Sequence, residues 1–150
     1  MTQSSDLHLG ETHRAKIVLI EDSHADQFMI LEALRRNVAE FDAEVIGDAP
    51  KAKKRLTDIE RDPLESTPDL FLIDLNLPGG WGGAIAEQIR GSSRFPDAAV
   101  VIMSSSRRPS DVDLARSLHC SYFHKAQGLD AFFKIGSLAR DLLHVSGPAS

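Results

Sequence analysis

The sequence predicts a doubly wound α/β domain, in which helices cover both faces of a parallel β-sheet. Short, mostly apolar segments alternate with longer amphipathic segments, and this pairing recurs five times along the chain. Strands that are apolar on both faces are typical of a parallel sheet buried between two helix layers. A length of 150 residues is enough for one such domain.

Each element is defined by the spacing of its apolar residues. The predicted strands span 16–20, 43–46, 70–73, 99–103 and 122–124, and the helices that follow them span 26–36, 50–61, 84–90, 109–118 and 129–143. In the first helix, Phe28, Leu31 and Leu34 recur at helical spacing, which indicates a shared apolar face. We expect residues 1–15 to form a flexible leader, 16–143 the domain and 144–150 a tail.

The composition disfavours several classes of protein. With 17 Lys and Arg against 22 Asp and Glu, the net charge is −5, whereas a nucleic-acid-binding protein needs a basic face. The apolar runs fall short of the ~20 residues that a membrane span needs, and the polar N-terminus is unlike a signal peptide. The single cysteine, Cys120, fits a reducing compartment. We therefore expect a cytoplasmic protein that binds neither nucleic acid nor membrane.

Polar residues follow four of the predicted strands, at the point where each strand ends. They are Glu21 and Asp22 after the first strand, Asp74 after the third, Ser104 with Ser105 and Ser106 after the fourth, and Lys125 after the fifth. In a parallel α/β sheet the carboxyl ends of the strands meet at one edge, where ligands bind. We therefore expect three carboxylates, a hydroxyl and an ammonium group to converge there.

Each of these residues also has an ordinary structural explanation. Asp22 and Ser23 could cap the next helix, and Asp74 could belong to a turn. Ser104 could be another cap, and Lys125 a solvated surface residue. These explanations do not account for the shared edge, because clustered carboxylates repel one another unless a cation compensates. Such a cluster suits a hard cation such as Mg²⁺, beside which an aspartate can accept a phosphoryl group.

Four segments together resemble the motifs of the response-regulator receiver domains of two-component signalling. They are Val-Leu-Ile-Glu-Asp-Ser at 18–23, Leu-Ile-Asp-Leu-Asn-Leu-Pro at 72–78, Val-Val-Ile-Met-Ser at 100–104 and Tyr-Phe-His-Lys at 122–125. The resemblance covers about residues 16–143. It implies a flavodoxin-like fold, a five-stranded parallel sheet of order 2-1-3-4-5 with five helices.

The resemblance also implies a role for each residue at the edge of the sheet. Asp74 would be the phosphoacceptor, and Lys125 would bind the phosphoryl group. Mg²⁺ would be held by Asp22, Asp74, the backbone carbonyl of Asn76 and, through water, Glu21. Phosphorylation would draw the switch residue Ser104 to the phosphoryl group and let the switch residue Tyr122 rotate inward. The surface formed by the fourth helix, fifth strand and fifth helix would change as a result.

Two positions depart from the pattern of the family. Ala126 follows Lys125 where the family usually has proline, and Trp81-Gly82 lies in the glycine-rich run 79–83 where Asp-Gly is common. Together with Asp-Leu-Asn-Leu-Pro at 74–78, these features resemble those of the single-domain regulators that are paired with phytochrome-type histidine kinases.

The implied function is that of a single-domain response regulator, not of an enzyme with a separate substrate. We expect a histidine kinase, such as a bacteriophytochrome, as phosphodonor, and a downstream protein or phosphotransfer partner as target. Because only about seven residues follow the last predicted helix, the output would pass through another protein. We also expect a homodimer formed through the last helices, in which Phe133 could take part.

Two other functions remain open on sequence alone. A Mg²⁺-dependent phosphatase of the haloacid-dehalogenase type also uses a strand-end aspartate as nucleophile, but it needs a second aspartate where Asn76 stands. A receiver-like module that binds partners without phosphorylation is the other alternative. The complete set of Asp22, Asp74, Ser104 and Lys125 argues against that module. Turnover of added phosphate esters would reveal the phosphatase, and failure to accept a phosphoryl group would reveal the binding module.

Overall fold

The computed structural model describes residues 14–126 and 128–146. The strands are β1 (Ala15–Ile20), β2 (Phe41–Ile46), β3 (Leu70–Asp74), β4 (Asn76–Leu77), β5 (Gly80–Trp81), β6 (Ala99–Ser104) and β7 (Ser121–His124). The helices are α1 (His24–Asn37), α2 (Ala49–Arg61), α3 (Gly82–Gly91), α4 (Pro109–Ser117) and α5 (Leu129–Ser146). All five predicted strand–helix pairs are present. Within the described part of the chain, no helix has the length and apolar character needed to cross a membrane.

Five of the strands form one parallel sheet in the order β2-β1-β3-β6-β7. Because β4 and β5 form a separate antiparallel pair, this is the predicted order 2-1-3-4-5 of the main strands. The central strands β3 and β6 are buried along their whole length, as their apolar runs predicted. The edge strand β2 is largely solvent-accessible, in keeping with its weaker apolar pattern.

Helix layers cover both faces of the sheet, and each layer has its own apolar core. One core takes Leu56, Ile59, Ile85 and Ile89 from α2 and α3, and the other takes Ile30, Leu34, Phe132 and Ile135 from α1 and α5. α1 and α5 approach closely at Gly136, where a Cβ atom would lie 2.3 Å from the carbonyl oxygen of Ala33. A larger residue at Gly136 would therefore force these two helices apart.

Two local features differ from the sequence prediction. Phe28 does not share the buried face of α1, because its side chain is 66% exposed. The buried face is formed by Ile30, Ala33 and Leu34, and Phe28 lies about 200° around the helix from Ile30. The small sheet of β4 and β5 was not predicted, since strands of two residues are too short to show an alternating pattern.

The ends of the fold extend slightly beyond the expected domain. β1 begins at Ala15, and the preceding Arg14 forms ion pairs with Glu40 and Asp42 at 3.2 and 2.9 Å. α5 continues to Ser146, into the segment expected to be a tail. The remainder of the expected leader, residues 1–13, and of the expected tail, residues 147–150, lies outside the described residues.

Candidate functional site

The carboxyl edge of the sheet brings together three acidic side chains. Asp74 is the last residue of β3, and Glu21 and Asp22 directly follow β1, which is the neighbour of β3. One carboxylate oxygen from each of the three lies within 4.8 Å of the others. Glu21 and Asp74 are buried, whereas Asp22 is exposed. The expected convergence of these carboxylates is therefore found, with one member open to solvent.

Lys125 places its ammonium group among buried carboxylates. Its backbone N–H donates to the carbonyl of Ser104 at 2.8 Å, which fixes the residue beyond the end of β7. Its Nζ donates to Asp74 at 3.0 Å, to Glu21 at 3.0 Å and to Asp26 at 2.9 Å. The Lys125 side chain is only 9% exposed, so these three bonds use every donor of the ammonium group.

Asp26 is a site residue that the sequence analysis missed. It lies in the first turn of α1, and its backbone N–H donates to the hydroxyl of Ser23, the N-cap residue of that helix. An acidic residue in the first turn of a helix is common because it complements the helix dipole, so its presence alone gave no signal. The contact is also hard to predict because Asp26 and Lys125 are 99 residues apart in the sequence.

The electrostatics of the site shift two pKa values upward. Burial and repulsion from Asp74 together raise the pKa of Glu21 to about 7, although the hydrogen bond from Lys125 opposes them. Burial alone would lower the pKa of Lys125. Its hydrogen bonds to Asp26, Asp74 and Glu21 outweigh burial and raise that pKa above its ordinary value. Lys125 is therefore charged across the physiological pH range.

The segment after β3 fixes the Asp74 carboxylate from its own backbone. The N–H of Asn76 donates to Asp74 Oδ1 at 3.0 Å, while Lys125 binds Oδ2. Gly82 donates its N–H to the carbonyl of Leu75 at 2.9 Å. A Cβ atom on Gly82 would lie 2.1 Å from the carbonyl oxygen of Asp74, so this close approach requires glycine.

The residues expected to act as a switch are held by partners outside the carboxylate cluster. Ser104 is 1% exposed, and its hydroxyl donates to Asp111 of α4 at 3.2 Å. Tyr122 is half-buried, and its hydroxyl donates to the backbone carbonyl of Ser106. Tyr122 thus already packs against the core in this structure, although inward rotation was expected to follow phosphorylation. Asp111 is a second residue that the sequence analysis did not identify.

Ala126 has a structural effect that the family's usual proline could not provide. Its backbone N–H donates to the carbonyl of His124 at 2.9 Å, and proline has no N–H. The turn that carries Lys125 is therefore closed by a backbone hydrogen bond.

The donor set fits a hard divalent cation. Glu21, Asp22 and Asp74 offer only oxygen ligands, which is the preference of Mg²⁺, Ca²⁺ and Mn²⁺. With Asp26 included, the cluster holds four carboxyl groups and a single ammonium group, so its formal charge is −3 when all four are ionised. A divalent cation would neutralise most of this charge, and the exposed Asp22 gives it access from solvent.

Comparison with known proteins identifies response regulators as relatives of this chain. None of the protein-family models matches this chain. The response regulator Rcp1 of Synechocystis is 28% identical over 120 residues, which span 79% of this chain and 82% of Rcp1. The crystal structure of a phosphorylated cyanobacterial phytochrome response regulator, RcpA, has a TM-score of 0.80 at 28% identity and covers 92% of this chain and 100% of that one. The Mn²⁺-bound form of Rcp1 has a TM-score of 0.74 at 26% identity, with 91% and 97% coverage.

Proposed function

This chain is a response-regulator receiver domain, and on that premise we propose that it accepts a phosphoryl group on Asp74 from the phosphohistidine of a histidine kinase. One observation carries the proposal. The Asp74 carboxylate is buried at the end of β3 with Lys125 on one oxygen and two further carboxylates within 4.8 Å. This arrangement suits a nucleophile beside a cation site, and a structural role alone does not require it.

In the proposed reaction, a carboxylate oxygen of Asp74 attacks the phosphorus atom. A phosphorus–oxygen bond forms, the bond between phosphorus and the kinase imidazole nitrogen breaks, and the electron pair stays on the imidazole. The Lys125 ammonium stabilises the negative charge on the transferred oxygens. The bond from Asn76 to Asp74 Oδ1 orients the carboxylate during the attack.

We propose Mg²⁺ as the resident cation, held by Asp22, Asp74, the backbone carbonyl of Asn76 and, through water, Glu21. When bound, it neutralises charge on the phosphoryl oxygens and brings them close to Asp74. The relative Rcp1 has been solved in an Mn²⁺-bound form, which supports a divalent cation in this chain as well. The oxygen-only donor set of this chain is the second support.

The proposed output is a change in the surface formed by α4, β7 and α5. An acyl phosphate adds strong acceptor oxygens next to Ser104, whose hydroxyl must leave Asp111 to donate to them. Release of Asp111 alters the first turn of α4. Tyr122, which donates a hydrogen bond to the Ser106 carbonyl, contributes to the altered surface. The conformation with this surface is populated more in the phosphorylated state.

The proposed phosphodonor is a phytochrome-type histidine kinase, because relatives of this chain are described as phytochrome response regulators. Signalling would pass to a downstream protein or phosphotransfer partner in the cytoplasm, where the free Cys120 stays reduced. We also retain a homodimer through α5 as part of the proposal. Phe133, the residue suggested for that contact, has a half-buried ring that lies under Arg36 at 4.6 Å.

Intact-mass measurement after incubation with acetyl phosphate tests the proposal. Wild-type protein with Mg²⁺ should gain one phosphoryl group, and the gain should disappear in Asp74→Asn or when Mg²⁺ is removed. Asp113→Asn, a matched change at an exposed aspartate of α4, should behave as wild type. A folded wild type that gains no mass would favour the phosphorylation-independent binding module, and turnover of added phosphate esters would favour the phosphatase.

A further inference from the structure

Lys125 is shared between two groups of carboxylates that belong to different parts of the fold. Asp74 ends β3, Glu21 follows β1, and both belong to the proposed phosphoacceptor and metal site. Asp26 belongs to α1, and no role in the proposed reaction has been assigned to it. Its bond to Lys125, 2.9 Å, is as short as the other two.

From this geometry we infer that Asp26 is a positioning residue that competes with the phosphoryl group for the ammonium of Lys125. The inference rests on the proposed function. It makes Asp26 a residue that sets how strongly the site binds a metal ion relative to a phosphoryl group. The ammonium has three N–H donors, and in this structure all three point to carboxylates. A phosphoryl group on Asp74 can gain a bond from Lys125 only when one of these is given up.

Asp26 keeps its hydrogen bond from Lys125 when Asp74 reacts, because it lies on α1 and is not itself phosphorylated. The Asp26 side chain is 26% exposed, so water can replace only part of the stabilisation that the hydrogen bond from Lys125 gives its carboxylate. Asp26 therefore draws the ammonium toward α1 and adds one negative charge beside the position of the phosphoryl oxygens. Both effects weaken phosphoryl binding.

The same negative charge acts in the opposite direction on a metal cation. It increases the attraction of the cluster for a divalent ion, and it gives the ammonium of Lys125 a partner other than Glu21 and Asp74. Removal of the charge should therefore weaken metal binding and strengthen phosphoryl binding. A variant that only loosened the fold would weaken both.

The test compares wild type with Asp26→Asn, which keeps the size of the side chain. Calorimetry gives the Kd for Mg²⁺, and then the Kd for beryllium fluoride, a phosphoryl mimic that bonds to aspartate, at saturating Mg²⁺. We expect about tenfold weaker Mg²⁺ binding and about tenfold tighter beryllium fluoride binding in the variant. Glu32→Gln removes a charge from the same helix without touching Lys125 and should change neither value.

Two further variants separate the interpretations. Asp26→Ala removes the partner of Lys125 entirely and should shift both constants in the same directions as Asp26→Asn, whereas Asp26→Glu should restore values near those of wild type. Unchanged constants in Asp26→Asn, or a loss of both affinities together, would overturn the inference. If wild type gains no phosphoryl group from acetyl phosphate, the proposed function fails, and the Mg²⁺ measurements still decide whether Asp26 acts on the cluster.

Discussion

The charged side chains are arranged differently at the two ends of the β-sheet. At the carboxyl end, the ammonium of Lys125 binds three carboxylates, and two of them, Glu21 and Asp74, are buried. At the amino end, basic side chains pair with acidic ones. Arg55 pairs with Glu44 at 2.8 Å and with Glu65, and Lys16 lies 3.6 Å from the same Glu65.

Two further arginines at the amino end bind backbone carbonyls. Arg90 donates to the carbonyls of Ala98, Leu118 and His119 at 2.9 to 3.0 Å. Arg94 donates to the carbonyls of Asp62 and Glu65 and so anchors the loop between α2 and β3, although its Nε is buried with no partner among the described residues. The ion pairs and hydrogen bonds at the amino end therefore stabilise the fold. The carboxyl end retains excess negative charge, which suits the binding of a cation for phosphoryl transfer.

The largest expected contrast between the two ends comes from removing their cations. Lys125→Met leaves Asp74 and Glu21 buried without a counter-charge, and the free energy of unfolding of the metal-free protein should fall by about 3 kcal/mol. Arg55→Met removes partly exposed ion pairs and should cost about 1 kcal/mol. Urea denaturation at neutral pH checks both values. Equal losses would show that the ends do not differ, and added Mg²⁺ should stabilise Lys125→Met more than wild type.

A smaller loss is expected from crowding the backbone behind Asp74. Gly82→Ala places a Cβ atom against the Asp74 carbonyl and should destabilise the fold by about 2 kcal/mol. Gly91→Ala, at the other end of α3, meets nothing within 4 Å and should be neutral or slightly stabilising. Thermal unfolding of the two variants gives the comparison. A Gly82→Ala protein as stable as wild type would contradict the close approach seen here.

A change outside the carboxylate cluster should alter the rate of phosphorylation. Asp111→Ala frees the Ser104 hydroxyl, which then donates to the incoming phosphoryl group without first breaking a bond. The rate of mass gain from acetyl phosphate should rise about fivefold, the equivalent of one net hydrogen bond. Asp113→Ala on the same helix is the matched control. If the increase persists in a Ser104→Ala background, the effect does not pass through Ser104.

The smallest effect concerns the pH dependence at the amino end. Hydrogen bonds from Arg55 lower the pKa of Glu65 below its ordinary value of 4.5, so this pair stabilises the protein above pH 4.5. That contribution is lost as the pH falls through the lowered pKa. The stability difference between wild type and Arg55→Met should therefore shrink between pH 6 and pH 3. A difference that is constant over this range would show that Glu65 is not the partner that matters.

The same contrast explains which features were predictable from the sequence. The parallel sheet between helix layers and the convergence of Glu21, Asp74 and Lys125 follow from apolar runs and from the rule that parallel strands end at one edge, whereas the order of the main strands was implied by the resemblance to receiver domains. Asp26 and Asp111 were missed because each lies in the first turn of a helix, where an acidic residue has a local explanation. Their contacts with Lys125 and Ser104 depend on how the helices pack, which periodicity does not report.

The exposure of Phe28 was mispredicted for a related reason. Apolar spacing identified a stripe on α1, but the buried face follows Ile30 and Ala33, where α1 meets α5 at Gly136. A choice between two overlapping stripes on one helix depends on the partner helix. Local sequence does not supply that information.

The most direct test of the account is to locate the phosphoryl group in the chain. Wild-type protein is phosphorylated with acetyl phosphate and Mg²⁺, the acyl phosphate is reduced with borohydride, and the peptides are analysed by mass spectrometry. The account predicts that Asp74 alone is converted to homoserine, and that omission of Mg²⁺ prevents the conversion. Modification of another residue, or an unmodified Asp74 in a protein that has gained the phosphoryl mass, would contradict it.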